Sequence, residues 1–235
     1  MIARKNVARL GGLFYLIVIA TGLFAEIFVR QALIVPGDAI ATAHHIQSAQ
    51  MLYRLGFIAD LINIIIGIPL DLVFLILFMP VNRNLTILAI FFAIPTNTII
   101  AFNLLNQLSP SILLGTDQHL SSFQFQQLAT LSLNALTMQS EGYAIGLVFF
   151  GIFCGIIGYL IYQSKFIPRI LGILYAVTGV CYLLNSFISF LTPDFTNPLF
   201  PYLMPLAFIG EISLCLWLLI KGVRENDLTK NSVLK

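Results

Sequence analysis

Six stretches of this chain stay apolar for about 19 residues or more, the length of α-helix that crosses about 30 Å of hydrocarbon. They run roughly over Leu10–Phe28, Leu52–Met79, Leu85–Leu108, Gly142–Tyr162, Ile170–Leu191 and Phe200–Ile220. Polar and small residues fall within them at helical intervals. In the second, Gly56, Asp60, Asn63, Gly67 and Asp71 recur at steps of four, three, four and four, which puts them on one stripe of an otherwise lipid-suited helix. Such a stripe faces protein or water. The third stretch offers Thr96, Asn103 and Gln107 near one face, and the fifth Gly172, Tyr175, Gly179, Tyr182 and Ser186. In the fourth, Gly142-x-x-x-Gly146 and Gly151-x-x-x-Gly155 mark close helix packing.

The connections differ in kind. Pro80–Asn84 and Gln163–Pro168 are short turns that make their flanking helices antiparallel neighbours. Val29–Met51 is longer. There Val35-Pro36-Gly37-Asp38 reads as a turn, with Asp38 able to cap a helix from Ala39. A bend near Ser48–Met51 is expected, because an unbroken helix from Ala39 to Met79 would be about 60 Å long. Between Ser109 and Ser140 there is no Lys or Arg. The segment Phe123–Met138 has near-helical apolar spacing, so a separate helix lying in the outer interface is expected there, as a lid over a cavity or as cover for the bundle.

Composition agrees with this pattern: 59% of residues are hydrophobic, 9% are charged and the mean hydropathy is +0.95. A soluble domain with a solvated surface is excluded. The expected fold is all-α, a polytopic membrane helical bundle of about six transmembrane helices forming a single integral membrane domain over 1–235, with 224–235 as a cytoplasmic tail. Ten of the twelve Lys and Arg residues fall on one side of these spans: Arg4, Lys5, Arg9, Arg83, Lys165, Arg169, Lys221, Arg224, Lys230 and Lys235. Arg30 and Arg54 lie at the opposite side. The positive-inside rule then makes the protein multi-pass with both termini cytoplasmic. The net charge of +2 reflects that bias and calls for no nucleic-acid partner; the lipid bilayer is the partner implied. The first apolar run is longer than a signal-peptide core and has no clear cleavage site, so it is expected to stay as a helix.

A repeat is visible at the helix starts. Arg9-x-x-Gly12-Leu13-Phe14-Tyr15 matches Arg169-x-x-Gly172-Ile173-Leu174-Tyr175, and Leu55-Gly56-Phe57-Ile58-Ala59-Asp60-Leu61 matches Leu206-Ala207-Phe208-Ile209-Gly210-Glu211-Ile212. Helices 1–2 and 5–6 would then form a parallel repeat, with Asp60 and Glu211 at equivalent positions.

Five carboxylates, Glu26, Asp60, Asp71, Glu141 and Glu211, lie inside or at the edges of the spans. An ionised side chain costs at least about 2.5–3.5 kcal/mol near the bilayer centre, so such residues are kept for ion paths, polar ligands or buried pairs. Glu26 and Arg30, four apart in the favourable order, read as a helix-surface pair at the outer interface. Glu141 starts the fourth span, where it favours the helix N-terminus. Asp71, near the inner end, has Arg83 or another cytoplasmic Arg as its expected partner. Asp60 has Arg54 as the expected partner of a buried pair, and Glu211 has no basic residue of its own helix within reach. The ligand-binding or proton-relay candidates are therefore Asp60, Glu211, Arg54, Asn63 and Asp71. No phosphate-cradling loop, nucleophile elbow or His-Glu-x-x-His motif is present. Adjacent His44 and His45 point to different sides of a helix, and His119 lies in another loop, so no metal or cofactor is expected. Cys154, Cys181 and Cys215 each fall within a span and read as small packing residues.

Several blocks together resemble a known family: Leu33-Ile34-Val35-Pro36-Gly37-Asp38, Arg54-Leu55-Gly56-Phe57, Pro80-Val81-Asn82-Arg83-Asn84, Gly146-Leu147-Val148-Phe149-Phe150-Gly151, Pro168-Arg169-Ile170-Leu171-Gly172 and Phe208-Ile209-Gly210-Glu211. They are similar to the domain-of-unknown-function family 4386, from about Ala8 to Val223. The resemblance implies a bacterial inner-membrane protein of about six helices and carries no established activity, ligand or catalytic residue. His44 and His45 stand outside the family pattern. The function expected first is small-molecule or proton-coupled transport, or ligand binding, through an intramembrane acidic cluster. An intramembrane enzyme using the same carboxylates, or a non-catalytic sensor or assembly subunit, are the alternatives. The residues leave the substrate and the oligomeric state open.

Overall fold

The computed structural model describes residues 4–115, 122–192 and 197–223. His119 and the 224–235 tail lie outside them. Among the described residues the regular elements are all helical. Helix α1 (Arg4–Leu23) continues through a π-helical segment, Phe24–Arg30, into the short α2 (Gln31–Leu33); α3 is Ala39–Ser48 and α4 is Gln50–Phe78. Then come α5 (Arg83–Leu113), α6 (Phe125–Gln163), α7 (Arg169–Leu191) and α8 (Phe200–Ile220). Among the described residues six stretches are long and apolar enough to cross a membrane: Arg4–Leu33, Gln50–Phe78, Arg83–Leu113, Phe125–Gln163, Arg169–Leu191 and Phe200–Ile220.

Local chemistry explains the boundaries. Gly37 takes a φ of 77° in the turn before α3, a conformation open to a residue without Cβ. The Asp38 carboxylate then accepts from the Ala41 amide at 2.9 Å and caps α3. Ala49 leaves helical geometry, which separates α3 from α4. One expectation is corrected here. Phe123–Met138 is not a separate interfacial helix, because from Phe125 it is the first part of α6, which is 39 residues, about 58 Å, long. Gln139, Ser140 and Glu141 are polar but compatible with helix, and Asn103 Nδ2 holds the Gln139 carbonyl at 2.6 Å, so nothing breaks the helix where hydropathy drops. For the same reason α5 extends to Leu113, past the Leu108 at which the apolar run ends.

By contact the described residues fall into two compact units. The first comprises the described parts of 1–17, 66–98 and 144–235, the second 18–65 and 99–143. Four helices, α1, α4, α5 and α6, contribute residues to both. Hydropathy marks spans but not which helix segments pack together, so this division leaves no trace in the apolar pattern.

In the first unit α6 and α7 meet through glycines. A Cβ on Gly158 would stand 2.6 Å from the Gly172 carbonyl, one on Gly172 equally close to the Gly158 carbonyl, and one on Gly151 2.8 Å from the Gly179 carbonyl. Tyr175, Phe74, Phe78, Phe153, Ile157 and Leu214 fill the interior, with Tyr15 edge-on to both Phe74 and Tyr175. Arg9 Nη2 donates to the Ile220 carbonyl at 3.2 Å, meeting the free acceptor at the end of α8. In the second unit, Val29, Leu33, Ala43, Ile46, Tyr53, Leu114, Ala129 and Leu136 form one apolar cluster.

Candidate functional site

The second unit gathers charge at one point. Gly56 lets α4 close on the π segment, since a Cβ there would stand 2.7 Å from Val29 Cγ1. One turn along, Asp60 Oδ2 accepts from Arg30 Nη1 at 2.8 Å and from Gln107 Nε2 at 2.8 Å. Arg30 Nε also holds Glu26 Oε2 at 2.7 Å. The π segment helps to set this geometry. Its closing bond runs from the Gln31 amide to the Glu26 carbonyl, five residues back, and π turns inside α-helices recur at functional sites. Side chains from the π segment, α4 and α5 thus converge. One formal positive charge is balanced against two negative ones.

Burial makes the balance matter. The side chains of Arg30 and Asp60 are 19% and 12% exposed, against 37% for Glu26. Gln107 is only 2% exposed, and its Oε1 has no hydrogen-bond partner. A buried acceptor left open costs about 1–3 kcal/mol, so this amide can take a further donor. The Tyr53 hydroxyl donates to the Gln107 backbone carbonyl. Tyr53 also lines a small cleft of about 30 Å³ with Gln47, Gln50, Arg54 and Ser111 among its polar walls.

The sequence candidates are distributed differently from expectation. Asp60 pairs with Arg30 and not with Arg54, which is exposed and lines the cleft. Six residues separate Arg54 from Asp60, which turns them about 120° apart around α4, off a common face. The Glu26–Arg30 pair exists, but its arginine is turned inward to a second carboxylate and is no solvated surface pair. Asn63 stands outside the ion cluster, with Nδ2 donating to the Val18 carbonyl at 2.6 Å and lying 3.3 Å from Thr21 Oγ1, which ties α4 to α1.

In the first unit Asp71 accepts from Asn97 Nδ2 at 2.7 Å, so its partner is an amide of α5 and not Arg83. Gly67 faces the same Asn97, which therefore lies along the stripe that the sequence marked. Glu211, partly buried in the middle of α8, is hydrogen-bonded to Tyr182 and Tyr15. Tyr15 Oη meets Tyr175 Oη at 3.2 Å, and Tyr175 is hydrogen-bonded to Cys154. Arg30, Gln107, Asn97, Tyr15 and Tyr182 are the partners that sequence reasoning missed. Their signal was the need itself: a mid-span carboxylate requires donors, and amides and hydroxyls within other spans are the ones available. His44 lies against the Phe125 ring, centroids 4.9 Å apart.

A family model described as Domain of unknown function (DUF4386) matches residues 10–222. The chain belongs to this family. The match spans every element that builds the two sites of this DUF4386 protein. An uncharacterized protein from Archaeoglobus fulgidus is 29% identical over 83 residues, 35% of this chain and 48% of its own length. The chain thus spans about half the length of the curated relative it matches. No solved structure matches the DUF4386 chain significantly.

Proposed function

We propose that this protein binds a small solute inside a bacterial plasma membrane and carries it across, with its termini in the cytoplasm. The one-sided placement of basic residues supports that orientation. The transport or ligand-binding reading rests on Arg30, held between Asp60 and Glu26 in membrane-length helices, with the open acceptor of Gln107 on the same carboxylate. A purely structural ion pair needs one partner and leaves no buried acceptor idle. Here a second carboxylate and a free amide oxygen stand ready for a solute that brings donors. Movement follows when the incoming solute competes with Arg30 for Asp60, since exchange of partners loosens the join between α4 and the π segment.

Thermal denaturation of the purified full chain, screened against metabolite, lipid and drug panels, tests the reading. A compound that binds the folded state at a hundredfold excess over its Kd stabilises it by about 2.7 kcal/mol. At least one compound is expected to raise the midpoint of the wild type, and to lose that effect in Asp60→Asn while the variant remains folded. Panels without a hit, or hits that stabilise Asp60→Asn equally, overturn it.

A further inference from the structure

Glu211 differs from Asp60 in chemistry. It occupies the twelfth position of the 21-residue α8, and among the described residues no Lys, Arg or His makes an ion pair with it. Its hydrogen-bond partners are phenols: Tyr182 from α7 and Tyr15 from α1. Beyond them the remaining titratable neighbours are Tyr175 of α7, Cys154 of α6 and Cys215 of α8, with Asp71 of α4 acting on Cys154. None of these supplies a positive charge. An ionised carboxylate without a cation is the costly form within a membrane span.

The hydrogen-bonded groups form a chain: Glu211 to Tyr15, Tyr15 to Tyr175 at 3.2 Å, and Tyr175 to Cys154. Tyr15, Tyr175 and Cys154 are buried, and each carries one proton on a rotatable group. Three links join four groups, and they can be oriented in two ways. With a carboxylate, Tyr15 donates to Glu211, Tyr175 to Tyr15 and Cys154 to Tyr175. With a carboxylic acid, Glu211 donates to Tyr15, Tyr15 to Tyr175 and Tyr175 to the sulfur. Every link has one donor and one acceptor in both arrangements. A salt bridge behaves oppositely, because protonating its carboxylate removes the attraction. This network makes all three links in either charge state, and the one proton left over in the acid arrangement is the weakly donating S–H of Cys154.

We propose that Glu211 is a reversible proton-binding site, served by a hydroxyl–thiol chain that reverses its direction when the proton arrives. Uptake forms one O–H bond on a carboxylate oxygen with a proton drawn from the aqueous phase. The negative charge is cancelled, nothing else leaves, and Tyr182 continues to hold the carboxyl group. The site stands apart from the solute reading at Asp60 and does not depend on it.

Infrared difference spectroscopy of the full chain in lipid, recorded between acidic and alkaline buffer, reads the carbonyl stretch of a protonated carboxylic acid. Acidification is expected to raise several such bands, one of which is lost in Glu211→Gln and retained in Asp60→Asn and Asp71→Asn. In Tyr175→Phe the band shifts in frequency, because the far end of the chain is cut while both partners of Glu211 remain. Absence of the band, its survival in Glu211→Gln, or its loss in Asp60→Asn overturns the proposal. If Glu211→Gln does not fold, the Tyr175→Phe and Tyr15→Phe spectra decide: a band that neither variant moves overturns it. Since Asp60→Asn serves as a control here, failure of the solute reading leaves this result intact.

Discussion

Neutralising Asp60 and Arg30 singly and together should give strongly non-additive losses of stability. In Asp60→Asn, the acceptor shared by Arg30 Nη1 and Gln107 Nε2, each at 2.8 Å, loses its charge but keeps one oxygen. Hydrogen bonds to charged groups contribute about 1.5–3 kcal/mol each, and the amide can still accept one, so a loss of about 2 kcal/mol is expected. Arg30→Gln is the harsher change. It strands Asp60, 12% exposed, with only the Gln107 amide, and breaking a buried pair from one side costs about 3–5 kcal/mol. Glu26 adds less to that loss, because at 37% it is the more exposed of the two carboxylates. The double variant has two neutral side chains in place of the pair, so it should recover part of the Arg30→Gln loss, with a coupling energy of about 1–3 kcal/mol. Reversible unfolding of the purified proteins in mixed micelles measures all four corners of the cycle. Losses that add to within about 0.5 kcal/mol, or a milder loss in Arg30→Gln than in Asp60→Asn, refute the buried-pair assignment.

Gly210→Ala should destabilise the α7–α8 pair by about 1–3 kcal/mol, because the new Cβ would strike Thr178 Oγ1 and stand 2.7 Å from the Leu174 carbonyl; an unchanged unfolding midpoint would contradict that close approach. Reporter fusions placed after Gly222 should read as cytoplasmic and fusions at Asp117 as external, and an external carboxyl terminus would reverse the orientation argued from the basic residues.

Six spans were legible because about 20 apolar residues in a row have few other uses. The helix ends were less so. Gln126, Gln127, Ser132 and Gln139 lower hydropathy without disfavouring helix, so the start of α6 could not be found from apolar content. The stripe on α4 was legible as a protein-facing surface: Gly56 meets Val29, Asp60 meets Arg30, Asn63 meets Val18, and Gly67 and Asp71 meet Asn97. Its partners were not. Arg54 is nearer to Asp60 in sequence, whereas Arg30 is nearer in space, a result of the close approach at Gly56 and of the π turn that carries Arg30. The matching positions of Asp60 and Glu211 in the repeated motifs were equally misleading about chemistry, since one carboxylate meets a guanidinium and an amide and the other meets phenols. Similar apolar context around two acids does not decide what either acid meets.

The glycine contacts between α6 and α7 have a mechanical consequence. Where Gly151, Gly158, Gly172 and Gly179 bring the two helices backbone to backbone, Leu183, Ile161 and Cys154 are the nearest side chains, so few rotamers can change to absorb sliding. Ordinary helix pairs shear by small rotamer adjustments at their interface. This pair has few to make at those four points, so α6 and α7 are expected to translate and tilt together as a stiff plate. Any motion that exposes Glu211 on α8 to the aqueous phase must therefore move α8 or α1 against that plate and cannot part the plate itself.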